Sequence, residues 1–139
     1  MPAPSAGAVI HWSNYVPAGG KYLLVLGTCN RGSLLALTIT SKDHWLRSPI
    51  HGAAMIEIPQ GATNFLTKKS FINCFFDLQR ISQTEYEQAE YDGAVSRCGR
   101  LSNSYLAKVR QAIDNDLMPA ADIADALAAI DRLLPRSTF

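Results

Sequence analysis

The stretch LTITSKDHW, residues 37–45, gathers two threonines, a serine, a lysine, a histidine and a tryptophan into nine positions. Strand alternation places Thr38 and Thr40 on one face and Leu37 and Ile39 on the other, so two hydroxyls leave the strand on the same side. Ser41 and Lys42 then add a hydroxyl and an ammonium. Such groups bind phosphate oxygens, while His44 or Trp45 can stack on a nucleobase. The same residues also fit a hydroxyl-capped turn with a solvated lysine and a tryptophan folded back as a lid, and both readings stay open on the residues alone.

Two further stretches carry polar groups of the same kind. In GGKYLLVLG the paired glycines Gly19 and Gly20 allow a tight turn, and Lys21 enters the next strand just before Leu23. There it either holds a phosphate at the rim of a sheet or is a solvated strand-end lysine. In TKKSFINCFFDLQR, Lys68 and Lys69 form a basic spot, Ser70 stands where a strand begins, and Asp77 ends the run. Asn73 is a lone amide among Phe71, Phe75 and Phe76, serving either RNA or a neighbouring loop. Among the histidines, His44 and His51 bracket one loop and could move protons near neutral pH. His11, in an apolar strand beside Trp12, reads as a packed histidine.

Sheet and helix must position these groups. From 8 to 82 the chain runs in short apolar segments divided by turn residues: AVIHWSNY, KYLLVLGT, SLLALTIT, AAMIEI and KSFINCFF. Five such strands predict a small, curled antiparallel barrel. After Ser82 the period becomes helical. TEYEQAEY predicts a short helix, and Leu101, Leu106, Val109, Ile113 and Leu117 mark one face of a second, with Ser102 as N-cap. Residues 83–116 are thus expected to be helical and to close the core. A further helix over 119–134 carries Ile123, Leu127, Ile130 and Leu134, with Pro119 in its first turn and many alanines that permit close approach. The fold class expected is α+β, mainly β, in one domain over 1–139.

Composition bounds the partners. The 139 residues are 47% hydrophobic, enough for one core, and Lys+Arg of 13 against Asp+Glu of 12 leaves a formal charge of +1. An anionic partner must therefore be held by a local patch. Cys29, Cys74 and Cys98 are far apart without C-x-x-C spacing, so neither a disulfide framework nor a metal site is expected, and no cofactor. Residues 1–10 lack the basic and apolar regions of a signal peptide, and no apolar run is long enough for a membrane span. The expectation is a cytoplasmic protein without membrane contact.

The order of motifs, G-K-Y-L-L-V-L-G, T-I-T-S, T-K-K-S-F-I-N-C and G-R-L-S-N-S-Y-L-A-K-V-R-Q-A-I, resembles that of the PemK/MazF family of bacterial toxins. The resemblance covers roughly residues 7 to 116. It implies an SH3-like barrel with a C-terminal helix, homodimeric, which binds single-stranded RNA and is neutralised by an antitoxin protein. The family cleaves RNA without a metal: the ribose 2′-hydroxyl attacks the adjacent phosphate, leaving a cyclic phosphate and a 5′-hydroxyl.

Carried over by position, Thr40 and Ser41 match the family's phosphate-donating Thr-Ser pair, and Ser70 matches a serine or threonine near the RNA path. Lys21 stands at the strand-opening arginine, keeping charge but losing the bidentate fork, and Tyr22 replaces the proline. PemK-like members flank the cysteine with a catalytic arginine and aspartate; here Asn73 and Phe75 stand there, and neither transfers a proton. Asp77 recovers the acid only through a one-residue bulge. The catalytic set expected is therefore Lys21, Thr40, Ser41, His44 and Asp77, and the RNA-binding set Lys42, Trp45, Lys68, Lys69, Ser70 and Asn73. The competing readings are a non-catalytic barrel of the same fold that binds RNA or a protein, and a CcdB-like gyrase-targeting toxin. The last depends on a C-terminal tryptophan segment, whereas this chain ends in RSTF.

Overall fold

The computed structural model describes residues 4–15, 20–42, 47, 49, 52, 54–74, 78–113 and 117–134. Their regular structure is a seven-stranded antiparallel sheet with three helices. The strands are β1 (Ala8–Trp12), β2 (Lys21–Thr28), β3 (Leu34–Thr40), β4 (Met55–Ile58), β5 (Ser70–Asn73), β6 (Gln79–Ile81) and β7 (Val95–Arg100). The helices are α1 (Gln83–Tyr91), α2 (Asn103–Ala112) and α3 (Ala120–Leu133). The class is α+β.

The sheet order is β4-β5-β3-β2-β1-β7, with β6 pairing the start of β3. One edge of β3 is shared: Ile39 and Thr40 face Ile72 and Phe71 of β5, while Leu34 to Ala36 face Ile81 to Gln79 of β6. Among the described residues β4 and β7, the two ends of the path, are not paired to each other, so the sheet is open. The register shifts between Val9 and Ile10 against β7, and between Val25 and Gly27 against β3, and such irregularities bend and twist a sheet. Phe65, between β4 and β5, reaches Gly99 of β7 so closely that a Cβ there would stand 2.6 Å from its ring.

The expectation of five strands followed by helices alone across 83–116 is corrected by β6 and β7. β7, VSRCGR, runs between α1 and α2, with Val95 as its one buried residue. It has no apolar alternation because it forms an edge, where arginines and other polar groups discourage pairing with another chain.

The sheet is buried on both faces, which is why YLLVL and LLAL are almost unbroken apolar runs. Leu24, Leu26, Leu35, Leu37 and Ile39 pack on one side with Leu106 and Val109 of α2 and Ala126, Ala129 and Ile130 of α3. Leu23, Val25, Leu34 and Ala36 pack on the other with Tyr86 and Ala89 of α1. The most deeply buried residues of α3 are Ala126, Ala129 and Ile130; Ile123 and Leu127 are half-buried beside them. Small side chains let this helix lie close: a Cβ on Gly27 of β2 would stand 3.5 Å from that of Ala129, and the φ of +132° there disfavours any other residue.

Each helix has a local reason to start. Ser82 caps α1, its hydroxyl accepting from the Glu85 amide at 3.1 Å, half of a Ser-x-x-Glu capping box. Ser102 occupies the cap position of α2 with extended backbone, but its hydroxyl pairs with that of Ser104 at 2.7 Å instead of capping. α3 starts after Pro119 and is tied down by Arg80, whose guanidinium donates to Asp122 and pairs with Asp125, each at 2.7 Å.

One ion pair makes stability depend on pH. Arg97 of β7 donates to Glu90 of α1 at 2.9 Å, and Tyr86 donates to the same carboxylate at 2.8 Å. The Arg97 guanidinium holds the Glu90 carboxyl below its ordinary value, while burial and the bond to Glu90 push the Tyr86 phenol up to about 12. For a carboxyl depressed on folding, the contribution is complete above the unfolded value and is lost as pH falls through the folded one. Urea titrations should therefore show the wild-type midpoint falling more steeply than that of Glu90→Gln on acidification through that window. Parallel curves would show that the pair contributes nothing.

Candidate functional site

A pocket of about 500 Å³ opens where β1, the start of β2, the end of β3 and the segment before β5 come together. β2 supplies Lys21 and Tyr22, following Gly20. β3 supplies Ile39 and Thr40, and the chain leaving it adds Ser41 and Lys42. The opposite wall is Leu66, Thr67, Lys68 and Ser70, and His11 of β1 completes the lining. The sheet register makes this convergence: Trp12 pairs with Lys21 and His11 with Tyr22, while Tyr22 in turn pairs with Ile39.

The hydroxyls are not equivalent. The Lys42 amide donates to Thr40 Oγ1 at 3.1 Å, closing a short hydroxyl turn just past the strand. That bond occupies an acceptor site of Thr40 and leaves its O–H proton available to a bound oxygen. Ser70 is spent the other way: its Oγ donates to the Lys68 carbonyl at 3.0 Å, and the side chain is buried. It fixes the wall and can only accept from a ligand. Ser41 is exposed at the rim.

The charge is one-sided. Lys21, Lys42 and Lys68 line the pocket, no Asp or Glu does, and none of these ammoniums has an ion-pair partner among the described residues. Several of the other cations are engaged: Arg80, Arg97 and Arg110 pair with carboxylates, Arg100 donates to Ser5, and Arg132 donates to the Thr28 carbonyl and Asn30, while Arg31 and Lys69 are exposed. A chain with a formal charge of +1 thus keeps three uncompensated lysines around one concavity. Low-dielectric walls focus such a field on an anion.

Of the site residues expected from sequence, Lys21, Thr40, Ser41, Lys42, Lys68 and Ser70 meet here. Lys69 is exposed and does not line the pocket. Asn73 is buried within the sheet opposite Met55, its Nδ2 donating to Thr38 Oγ1 at 3.3 Å and its Oδ1 left without a hydrogen-bond partner. It also does not line the pocket. His44, Trp45, His51 and Asp77 lie outside the described residues, as do Phe75 and Phe76.

His11 is the residue whose place differs most from its reading as a packed histidine. It is half-buried and opens on the pocket, its ring against Tyr22 with centroids 4.7 Å apart and planes tilted by 58°. Gly20 makes room for it: a Cβ there would lie 3.0 Å from His11 Nε2, and the φ of +81° also favours glycine. This placement follows from the register of β1 on β2, which sets His11 opposite Tyr22, and neither segment carries it alone.

A second concavity of about 500 Å³ is lined by Trp12, Asn14, Tyr15, Gln79 and Glu85. Trp12 Nε1 donates to Asn14 at 2.8 Å and the Tyr15 hydroxyl bonds to Gln79, so its polar groups largely satisfy one another. Burial, with the Glu85 carboxylate nearby, pushes the Tyr15 phenol up. This acidic, aromatic hollow is the electrostatic opposite of the first.

Among the described residues no group of three or more His, Cys, Asp or Glu is arranged to hold a metal ion, and no helix is long and apolar enough to cross a membrane. No protein-family model matches the sequence, and no curated protein matches it.

Proposed function

We propose that the protein is a PemK/MazF-like endoribonuclease that cuts single-stranded RNA without a metal, and that its open, curled sheet corresponds to the SH3-like barrel of those toxins. The observation that carries this reading is the pocket of unpaired lysines and hydroxyls with no carboxylate in its lining. Such a lining suits a phosphodiester. Thr40 and Ser41 would donate to the phosphoryl oxygens, Lys21 would face the charge that grows on phosphorus, and Lys42 and Lys68 would guide the flanking phosphates. The position of α3 agrees with this: it packs at the Gly27 end of β2, away from Lys21, and leaves the pocket open. Homodimerisation and neutralisation by an antitoxin protein complete the proposal on the strength of the family resemblance.

The test is incubation of the purified protein with a long single-stranded RNA in EDTA, with the product ends mapped. Cleavage at short motifs giving 2′,3′-cyclic phosphate and 5′-hydroxyl ends is expected. Intact RNA at high protein concentration would refute the nuclease. One observation favours the non-catalytic alternative, an RNA- or protein-binding module: Asn73, at the family's arginine position, is buried and bonded to Thr38, where it meets no substrate. In that case RNA would bind to the same lysines and emerge uncut.

A further inference from the structure

Metal-free cleavage needs a group to take the 2′-hydroxyl proton, and the residues at the family's catalytic pair, Asn73 and Phe75, cannot supply one. We propose that His11 is that base, with Tyr22 as the residue that positions it. The assignment rests on the nuclease reading and deepens it.

The geometry for this is local. His11, on the same face of the sheet as Tyr22 and Ile39, is the imidazole in a pocket lining that also includes Lys21 and Thr40. Among the described residues neither of its ring nitrogens has a hydrogen-bond partner, whereas Ser70 has spent its donor on the Lys68 carbonyl. The ring is nevertheless held. Tyr22 packs on one side at 4.7 Å, and the absent side chain of Gly20 leaves the space in which Nε2 lies. A ring confined by packing, with both nitrogens unspent and access to a cationic pocket, is fit to receive a proton from a bound ligand.

The step balances as follows. The ribose 2′-hydroxyl gives its proton to the His11 imidazole as the 2′-oxygen forms a bond to phosphorus. The bond from phosphorus to the 5′-oxygen breaks, and that oxygen takes a proton from the Lys21 ammonium. Thr40 donates to a phosphoryl oxygen throughout. Water then removes the proton from the imidazolium and restores that of Lys21, leaving a cyclic phosphate and a 5′-hydroxyl.

The charged and titratable groups around the imidazole are Lys21 and Tyr22 on β2, Cys98 on β7, and Lys42 and Lys68 on the other walls. Burial pushes the Cys98 thiol up, so it brings no negative charge to the ring near neutral pH. The other charged groups of the lining are cations.

Four preparations test this in EDTA: wild type, His11→Gln, Lys21→Met and Tyr22→Leu. Each is given an RNA oligonucleotide and its counterpart with a 5′-bridging sulfur, whose leaving group needs no proton. Wild type is expected to cleave both. His11→Gln is expected to lose about 10²-fold or more on both substrates. Lys21→Met is expected to recover on the sulfur substrate alone. Tyr22→Leu is expected to lower kcat with little change in KM. Binding of a 2′-O-methyl RNA, which cannot be cut, reports whether His11→Gln still folds and holds substrate. Retained cleavage by His11→Gln, or its rescue by the sulfur substrate, would overturn His11 as the base while leaving the nuclease standing. A wild type that cuts neither substrate would overturn both.

Discussion

Replacing Lys21 and Thr40 together by alanine is expected to lower the single-turnover rate of RNA cleavage by at least about 10³-fold, because removal of one preorganised donor to a developing oxyanion alone costs about 10²–10³. Thr40 is suited to that role because its oxygen already accepts from the Lys42 amide, which fixes the hydroxyl and leaves its proton to donate. Lys21 adds an ammonium with no ion-pair partner among the described residues. In the proposed function the two act on one phosphate, so their effects should not add as independent terms. The thermal midpoint should move little, since both side chains lie at the ends of their strands, outside the buried core. The companion measurement is binding in increasing salt. Removal of a lysine that touches a phosphate should flatten the dependence by about one unit of slope. A rate within a few-fold of wild type would mean that phosphate is held elsewhere and that the pocket is not the site.

Much of the scaffold was legible in the sequence because its physics is local. The runs in KYLLVLGT and SLLALTIT betray strands buried on both faces, and Leu106, Val109 and Ile113 repeat at helical spacing. β7 escaped because an edge strand with one buried residue has no hydrophobic pattern to read. The candidate site was legible in part for the same reason. Hydroxyls and lysines flanking strand ends, such as Thr40, Ser41, Lys42 and Lys21, are brought together by any hairpin stack of this order. Asn73 and His11 depended on register. Asn73 finds Thr38, 35 positions away, only through the pairing of β3 with β5. His11 turns from core to pocket only because Tyr22 lies directly opposite it and Gly20 makes room. Partners fixed by long-range pairing leave no mark on either segment alone.

The last helix, α3, gives the largest expected effect on stability. Ile130 is fully buried between Ala126, Ala129 and the sheet. Its replacement by alanine should cost about 2–5 kcal/mol, the range for truncating a large aliphatic side chain in a packed core. For a chain of this length that is a fall in thermal midpoint on the order of 10 °C. The ion pairs of Arg80 with Asp122 and Asp125 cannot offset it, because half-exposed pairs contribute about 0–1 kcal/mol each. The functional consequence differs in kind. α3 meets β2 at Gly27, six residues along the strand from Lys21, which at the rise of an extended chain is roughly 20 Å. At a temperature where Ile130→Ala remains folded, RNA cleavage per folded molecule should therefore equal that of wild type. A loss of cleavage with circular dichroism and urea midpoint still in the folded range would mean that α3 acts on the pocket. Equal cleavage beside a lowered midpoint would assign the helix to the core, as a cover for the apolar face that β2 and β3 leave at the end of the sheet opposite the lysines.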